Sequence, residues 1–188
     1  MNNTHTIVQA LHYVLKRVGA ASKLKLVKLL YLADKYHLQL FGRTITADDF
    51  IAMKRGPVGS ATKDILDFDQ DWLDTEDVKY SERFLERIGD FDYEAKPIAC
   101  EYEMLSETDK KALDYILDKF GSFSHGQLIE LTHKFPEWAR HEKELADEIV
   151  KRAPIDTSEM FCQSAPDPLE VSPRHVEESK AIYAGKFC

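Results

Sequence analysis

Lys54 and Arg55 stand directly before Gly56 and Pro57, and this run is the sharpest candidate for a binding site in the sequence. Glycine tolerates positive φ, whereas proline fixes φ and donates no backbone hydrogen bond, so the run predicts a rigid corner. Such a corner would present both cations outward in a fixed geometry, which suits recognition of another molecule. The alternative, that Gly-Pro only turns the chain, stays open on residue chemistry alone.

The sequence contains no pattern that predicts catalysis, metal binding or cofactor binding. Its seven histidines lack the fixed spacing of metal ligands, and no nucleophile signature of the GxSxG kind occurs. Pro57 removes a donor that a phosphate-binding loop would need. The acidic run from Asp64 to Asp77 predicts a solvated face, whereas a general acid needs a desolvated carboxyl group. We therefore expect no catalytic residue, no metal site, no cofactor and no enzyme.

The composition is that of an ordinary globular protein with a negative charge. A length of 188 residues, 44% of them hydrophobic and 31% charged, fits one domain. The net charge of −8 argues against a general binder of phosphate backbones. Three cysteines without a CxxC spacing (Cys100, Cys162 and Cys188) predict a reducing cytoplasm and no disulfide framework. No apolar run approaches the ~20 residues that span a bilayer, so no membrane partner is expected.

One helix must position the corner, and it is predicted to begin after Ser22 and to end at Gly42. Apolar residues cover most of its circumference, which is typical of a central helix that packs on several sides. The remaining narrow polar edge is assigned to its lysines Lys25, Lys28 and Lys35. A short strand over 50–53 then leads to the corner, and a helix resumes near Ser60.

The rest of the chain predicts further helices and one hairpin. A first helix is expected to be capped by Thr4 or Thr6 and to end at Gly19, and Gly89-Asp90 is expected to join two strands within 79–103. Further helix starts are predicted at Ser106, Ser124, Pro136 and Ser172.

Helix is expected to continue to about Arg152, and a linker or extended segment follows from Ala153 to Pro173. The predicted fold is α+β and predominantly α-helical, a compact helical domain with a small antiparallel β element. Residues 1–152 form the domain, and residues 153–188 form a C-terminal extension that packs on it.

Basic residues near the N-terminus leave DNA binding open as an alternative function. Two helices joined by residues 19–22 can be interpreted as a helix-turn-helix. The second helix, however, is too apolar to present an open face to a groove. A DNA-binding regulator is therefore our second hypothesis, and its candidate contacts are Lys16, Arg17, Lys23, Lys25 and Lys28.

Over residues 25–34 and 50–58, the sequence resembles the Panacea-domain proteins, also called SocA-like antitoxins. The first segment reads KLVKLLYLAD, and the second is a strand followed by a Gly-Pro-Val corner. Similarity returns at 105–109, at 128–138 and at 171–173. The resemblance thus covers nearly the whole chain and is weakest over 64–103.

The resemblance implies a cytoplasmic bacterial or phage-associated protein that acts as the antitoxin of a toxin–antitoxin pair. Members of the family neutralise a cognate toxin by direct binding, and its named member is an adaptor that delivers its toxin to an ATP-dependent protease. The family is not known for catalysis or for a cofactor. We expect the partner-binding surface to consist of Lys54, Arg55, Gly56 and Pro57, with Tyr31 and Tyr36 supporting it from behind. The acidic run is expected to steer a basic toxin toward this surface.

Overall fold

The computed structural model describes residues 3–69, 71 and 73–185, and helices make up most of this part of the chain. Their bounds are α1 (Thr4–Val18), α2 (Lys23–Phe41), α3 (Ser60–Asp67), α4 (Thr75–Phe84), α5 (Glu107–Phe120), α6 (His125–Thr132), α7 (Pro136–Ala139), α8 (Glu142–Ala146) and α9 (Pro173–Tyr183). A 3₁₀ turn over Thr157–Phe161 precedes α9. Among the described residues, no helix is both long enough and apolar enough to cross a bilayer.

Two small antiparallel sheets complete the fold, so the predicted α+β class is confirmed. The strands are β1 (Ala21–Ser22), β2 (Phe50–Met53), β3 (Gly56–Gly59), β4 (Leu85–Ile88), β5 (Asp92–Ala95) and β6 (Arg152–Ile155). The first sheet has the order β1-β5-β4 and contains the predicted hairpin around Gly89-Asp90. The second has the order β3-β2-β6, and Ala52 at its centre pairs with Pro57 on one side and Ala153 on the other.

Helix α2 lies at the centre of the molecule, as its apolar circumference predicts. It contacts α1, α3, α5, α6, α9 and the 3₁₀ turn. The Ser22 side chain accepts a hydrogen bond from the Lys25 amide at 3.3 Å, and Gly42 ends the helix at φ 70°. Because a fully buried leucine contributes about 1.5–3 kcal/mol, the buried leucines of α2 supply much of the core's stabilisation. These leucines are Leu26, Leu29, Leu30, Leu32 and Leu38.

The polar edge predicted for α2 is wrong for two of its three lysines. Lys28 and Lys35 are both fully buried, and only Lys25 is partly exposed. Both amines bind acceptors on other elements, which compensates for their removal from water.

Helix starts at Ser106, Ser124 and Ser172 are confirmed, each with a side-chain cap. The first helix differs from prediction because Asn3 occupies its N-cap, without a side-chain cap bond. The segment before the hairpin is helix α4, although its aromatic residues suggested strand.

The predicted continuation of helix to about Arg152 is wrong. Helix α8 ends at Ala146, and Glu148 adopts a positive φ of 56°, which turns the chain into β6. The predicted domain boundary at 152/153 lies inside this strand. Pro154 is tolerated there because β6 is an edge strand, where one face of the backbone needs no partner.

Candidate functional site

The predicted corner is the turn of the β2–β3 hairpin. Lys54 and Arg55 are exposed at the turn, whereas Gly56 and Pro57 begin β3 and are buried. Gly56 has a φ of +96°, in the left-handed region that favours glycine. A Cβ at this position would lie 2.7 Å from Lys28 Nζ and 2.8 Å from Thr132 Oγ1. Only glycine therefore lets the turn approach α2 and α6 this closely.

Two buried donors hold the backbone on either side of the turn. Lys28 Nζ donates to the carbonyl oxygen of Pro57 at 2.6 Å, and Trp138 Nε1 donates to that of Met53 at 2.8 Å. We call this pair of hydrogen bonds the carbonyl clamp. The Trp138 indole is itself fixed by stacking on His133, with ring centroids 3.6 Å apart. Burial lowers the pKa of Lys28 well below its usual value. The clamp fixes the backbone from which Lys54 and Arg55 project.

A buried polar cluster lies behind the clamp and fixes α7. Lys35 Nζ contacts Glu137 Oε1 at 2.8 Å and donates to the carbonyl oxygens of Met160 and Cys162, both at 2.9 Å. The Tyr31 hydroxyl donates to the same Glu137 oxygen at 2.6 Å. Burial, and then the Glu137 charge, raises the pKa of Tyr31 well above its usual value. Because Glu137 directly precedes Trp138, this cluster also positions the clamp.

The two tyrosines predicted to support the corner occupy different places. Tyr31 is 1% exposed and packs edge-on against Phe50 of β2, with ring centroids 5.7 Å apart. It lies behind the hairpin, and its side chain cannot contact a partner. Tyr36 stacks on Tyr115 of α5 at 4.3 Å, so it belongs to the contact between α2 and α5.

A cleft of about 540 Å³ opens beside the turn, between the β2–β3 and β4–β5 hairpins. Its floor is apolar and consists of Leu24, Val27, Met53 and Val58, and the exposed Phe91 ring also borders it. Its rim is basic and consists of Lys23, Lys54, Arg55, Lys63, Lys151 and the exposed His125. Gly56 also lines the cleft, so three of the four predicted corner residues border it.

Phe91 is held at the cleft by its own backbone. The Lys23 amide donates to the Phe91 carbonyl oxygen at 2.8 Å, which joins the β4–β5 turn to the start of α2. Its side chain nevertheless remains 71% exposed. Phe91 is therefore an exposed aromatic residue beside basic residues, and aromatic residues and arginine are enriched among those that dominate interface energy.

The rim cations differ in their ion pairing. Lys23 and Lys63 both pair with Asp67, and Lys54 pairs with Glu148 at 2.8 Å. Across the described part of the chain, no carboxylate pairs with Arg55 or Lys151.

The acidic run has structural roles that its composition did not indicate. Asp67 pairs with two rim lysines, and Asp74 accepts hydrogen bonds from the Glu76 and Asp77 amides at the start of α4. Asp77 is 7% exposed. The predicted solvated face is therefore wrong for Asp77. Gln70 and Trp72, within the same run, lie outside the described residues. Steering of a toxin by this run stays a prediction.

The DNA-binding surface predicted at the N-terminus is not assembled as expected. Lys28 is enclosed by the hairpin, Lys23 pairs with Asp67, and Arg17 pairs with Asp114 and Asp118. Cations already paired with carboxylates contribute less to phosphate binding, so the surface is less basic than its sequence indicates.

No group of three or more histidine, cysteine, aspartate or glutamate side chains that could hold a metal occurs within 3–69, 71 and 73–185. Cys100 and Cys162 are free thiols, and Cys188 lies outside the described residues.

A comparison with protein families connects this site to a known group. The profile described as "Antitoxin SocA-like, Panacea domain" matches residues 26–139, more than half of the chain. The chain belongs to the family of SocA-like antitoxins with a Panacea domain. The resemblance predicted from the sequence is confirmed over these residues, and the similarity at 171–173 stays a prediction. The Panacea segment contains both donors of the carbonyl clamp and the hairpin that they hold, whereas β6, the 3₁₀ turn and α9 follow it. Neither the curated proteins nor the solved structures gave a match to the chain.

The sequence did not predict that Lys28 and Trp138 are the clamp donors. It also did not predict that Phe91 and Lys151 line a cleft with the turn. Lys28, Tyr31 and Lys35 recur at intervals of three and four residues, so they lie on one face of α2. Tyr31 is largely apolar and is expected to face the core. Lys28 and Lys35 share its helix face, so the spacing indicated that both lysines also face inward.

Proposed function

We propose that this protein is an antitoxin that neutralises a cognate toxin by binding it directly through the β2–β3 turn. Membership of the SocA-like family supports an antitoxin role in general. The observation that carries the proposed surface is the carbonyl clamp, because a turn held by Lys28 and Trp138 loses little conformational freedom on binding. Lys54 and Arg55 make the contacts, and the buried Gly56 and Pro57 form their base.

The mechanism that we propose is steric, without catalysis and without a cofactor, in the cytoplasm. The clamped turn covers the functional site of the toxin, and Arg55 supplies a residue type that often dominates interface energy. Delivery of the toxin to an ATP-dependent protease is a further step that requires a second docking surface. We therefore place neutralisation by binding first.

A growth assay with co-purification tests the proposal. The gene adjacent to this one is expressed alone and then together with this protein. We expect toxicity that co-expression relieves, and a complex that co-purifies. A harmless neighbour with no co-purifying complex would contradict the antitoxin role.

Replacing Arg55 by Glu tests the surface. Because Arg55 is exposed and unpaired among the described residues, Arg55→Glu should leave the melting temperature nearly unchanged and weaken neutralisation. Lys111→Glu on α5 is the matched control, since it reverses another exposed cation outside the cleft. A fall of several degrees in the melting temperature would show that Arg55 is structural, and full rescue by Arg55→Glu would exclude the turn as the binding surface.

A further inference from the structure

We infer that the cleft binds a short acidic segment of the partner protein that carries an aliphatic or aromatic anchor residue. This inference rests on the proposed function, because it takes the occupant to be part of a protein partner. It adds the charge of the bound segment and the type of its anchor residue.

The floor of the cleft determines the anchor. Leu24, Val27, Met53 and Val58 form an apolar surface, and the exposed Phe91 ring stands at one end of it. The cleft volume of about 540 Å³ admits one or two large side chains but no folded element. Apolar side chains of the partner would remove both this floor and the Phe91 ring from water.

The rim determines the charge of the segment. The whole chain has 33 acidic and 25 basic residues, yet the residues lining the cleft include five lysines and arginines and no carboxylate. Arg55 and Lys151 have no ion pair within the described residues, so acidic side chains of the partner would supply one. The Lys54–Glu148 pair is exposed on both sides and exchanges for a partner carboxylate at little cost.

The same features favour a protein segment over a nucleic acid. Single-stranded nucleic acids bind to a run of aromatic rings that stack successive bases, and the cleft offers one, Phe91. The floor residues themselves are aliphatic or thioether side chains. A protein segment with one or two carboxylates needs to reach only Arg55 and Lys151. A continuous phosphate backbone carries a charge at every nucleotide and would also lie beside Asp67 and Glu148.

Peptide selection on the full-length protein tests the inference. Random dodecapeptides displayed on phage are selected on the immobilised protein, and enriched peptides are synthesised with a fluorescein label for anisotropy titration. We expect enriched sequences in which Asp or Glu flanks Leu, Phe or Trp. Enrichment of basic or uncharged sequences, or no enrichment, would overturn the inference.

Variants of the cleft show where the peptides bind. The double variant Arg55→Glu with Lys151→Glu should weaken binding at least about tenfold, since it reverses both unpaired cations. Phe91→Ser should weaken it by about tenfold through loss of apolar contact. Ile149→Ser is the matched control, because Ile149 is 70% exposed and lies outside the cleft lining. Equal effects of Phe91→Ser and Ile149→Ser would refute the assignment.

Two further results separate this inference from the antitoxin proposal. If the toxin is neutralised equally well by the cleft variants, the inference fails and the antitoxin role stands. If acidic peptides bind the cleft but the neighbouring gene is harmless, the acidic-segment chemistry stands and the antitoxin role fails. A single-stranded oligonucleotide of the same length that displaces the peptides at comparable concentration would favour a nucleic acid and overturn the inference.

Discussion

Replacing Glu137 by Met should destabilise the protein more than replacing Glu137 and Lys35 by Met together. The two side chains form an ion pair at 2.8 Å, and each is fully buried. Without Glu137, the Lys35 ammonium retains the carbonyl oxygens of Met160 and Cys162 and the face of the Phe135 ring, none of which carries a negative charge. Without Lys35, the carboxylate retains only the hydroxyl of Tyr31. Either single substitution therefore leaves a buried charge without an oppositely charged partner.

The magnitude follows from this geometry. Removal of one partner from a buried pair costs about 3–5 kcal/mol, which is a large part of a total stability of about 5–15 kcal/mol. For a chain of this length, each kilocalorie lowers the melting temperature by about 2–4 °C, so each single variant should lose roughly 6–20 °C. The double variant removes both charges and leaves the Tyr31 hydroxyl unpaired, which costs about 1–3 kcal/mol.

Urea denaturation followed by circular dichroism measures the free energy of unfolding of the wild type and the three variants. The matched control is the exposed pair Lys79–Glu76, which has an N–O distance of 2.9 Å and should change stability by less than about 1 kcal/mol when either residue becomes Met. Additive losses in the double variant, or single losses no larger than those of the exposed pair, would refute the reasoning.

Two further changes test the hairpin and the loop that follows α2. Gly56→Ala should cost about 2–4 kcal/mol, because it adds a clash with Lys28 Nζ to an unfavourable φ of +96°. Gly89→Ala, at φ +67° with no atom within 4 Å of the new Cβ, should cost only about 1 kcal/mol, and equal losses in thermal denaturation would contradict the packing argument. Burial raises the pKa of Asp34 to about 7 although Ile45 and Thr46 donate hydrogen bonds to it, so between about pH 4 and pH 7 the folded state binds a proton that the unfolded state lacks. The stability of the wild type relative to Asp34→Asn should therefore rise by about 1.4 kcal/mol per unit as pH falls from 7 toward 5, and a difference that does not change with pH would show that Asp34 stays ionised.

Features with a local cause were predictable from the sequence. Ser22, Ser106 and Ser124 cap helices through bonds that reach only three residues along the chain, and Gly42 ends α2 through its own backbone conformation. The family resemblance rests on the same short-range segments. The position of the Lys54–Arg55 turn followed from Gly56 and Pro57 for this reason.

Features that depend on distant contacts were not predictable. The Lys28 bond to Pro57 spans 29 residues, the Trp138 bond to Met53 spans 85, and both acceptors are backbone carbonyls. Every residue has a carbonyl, so no residue type marks these two as acceptors. The cleft likewise combines Phe91 and Lys151 with the hairpin turn, and only the tertiary fold brings these positions together.

The carbonyl oxygens that accept hydrogen bonds from Lys35 determine how much of the chain a gene fusion must transfer. Met160 and Cys162 follow the segment that defines the family, and so does β6, which covers one edge of β2. Transfer of residues 26–139 alone into another protein would carry a buried ammonium group without two of its acceptors and a strand with an open edge. A gene fusion that keeps the domain intact must therefore move more than the matched segment. If it moves only that segment, the recipient protein must supply an equivalent strand and equivalent acceptors.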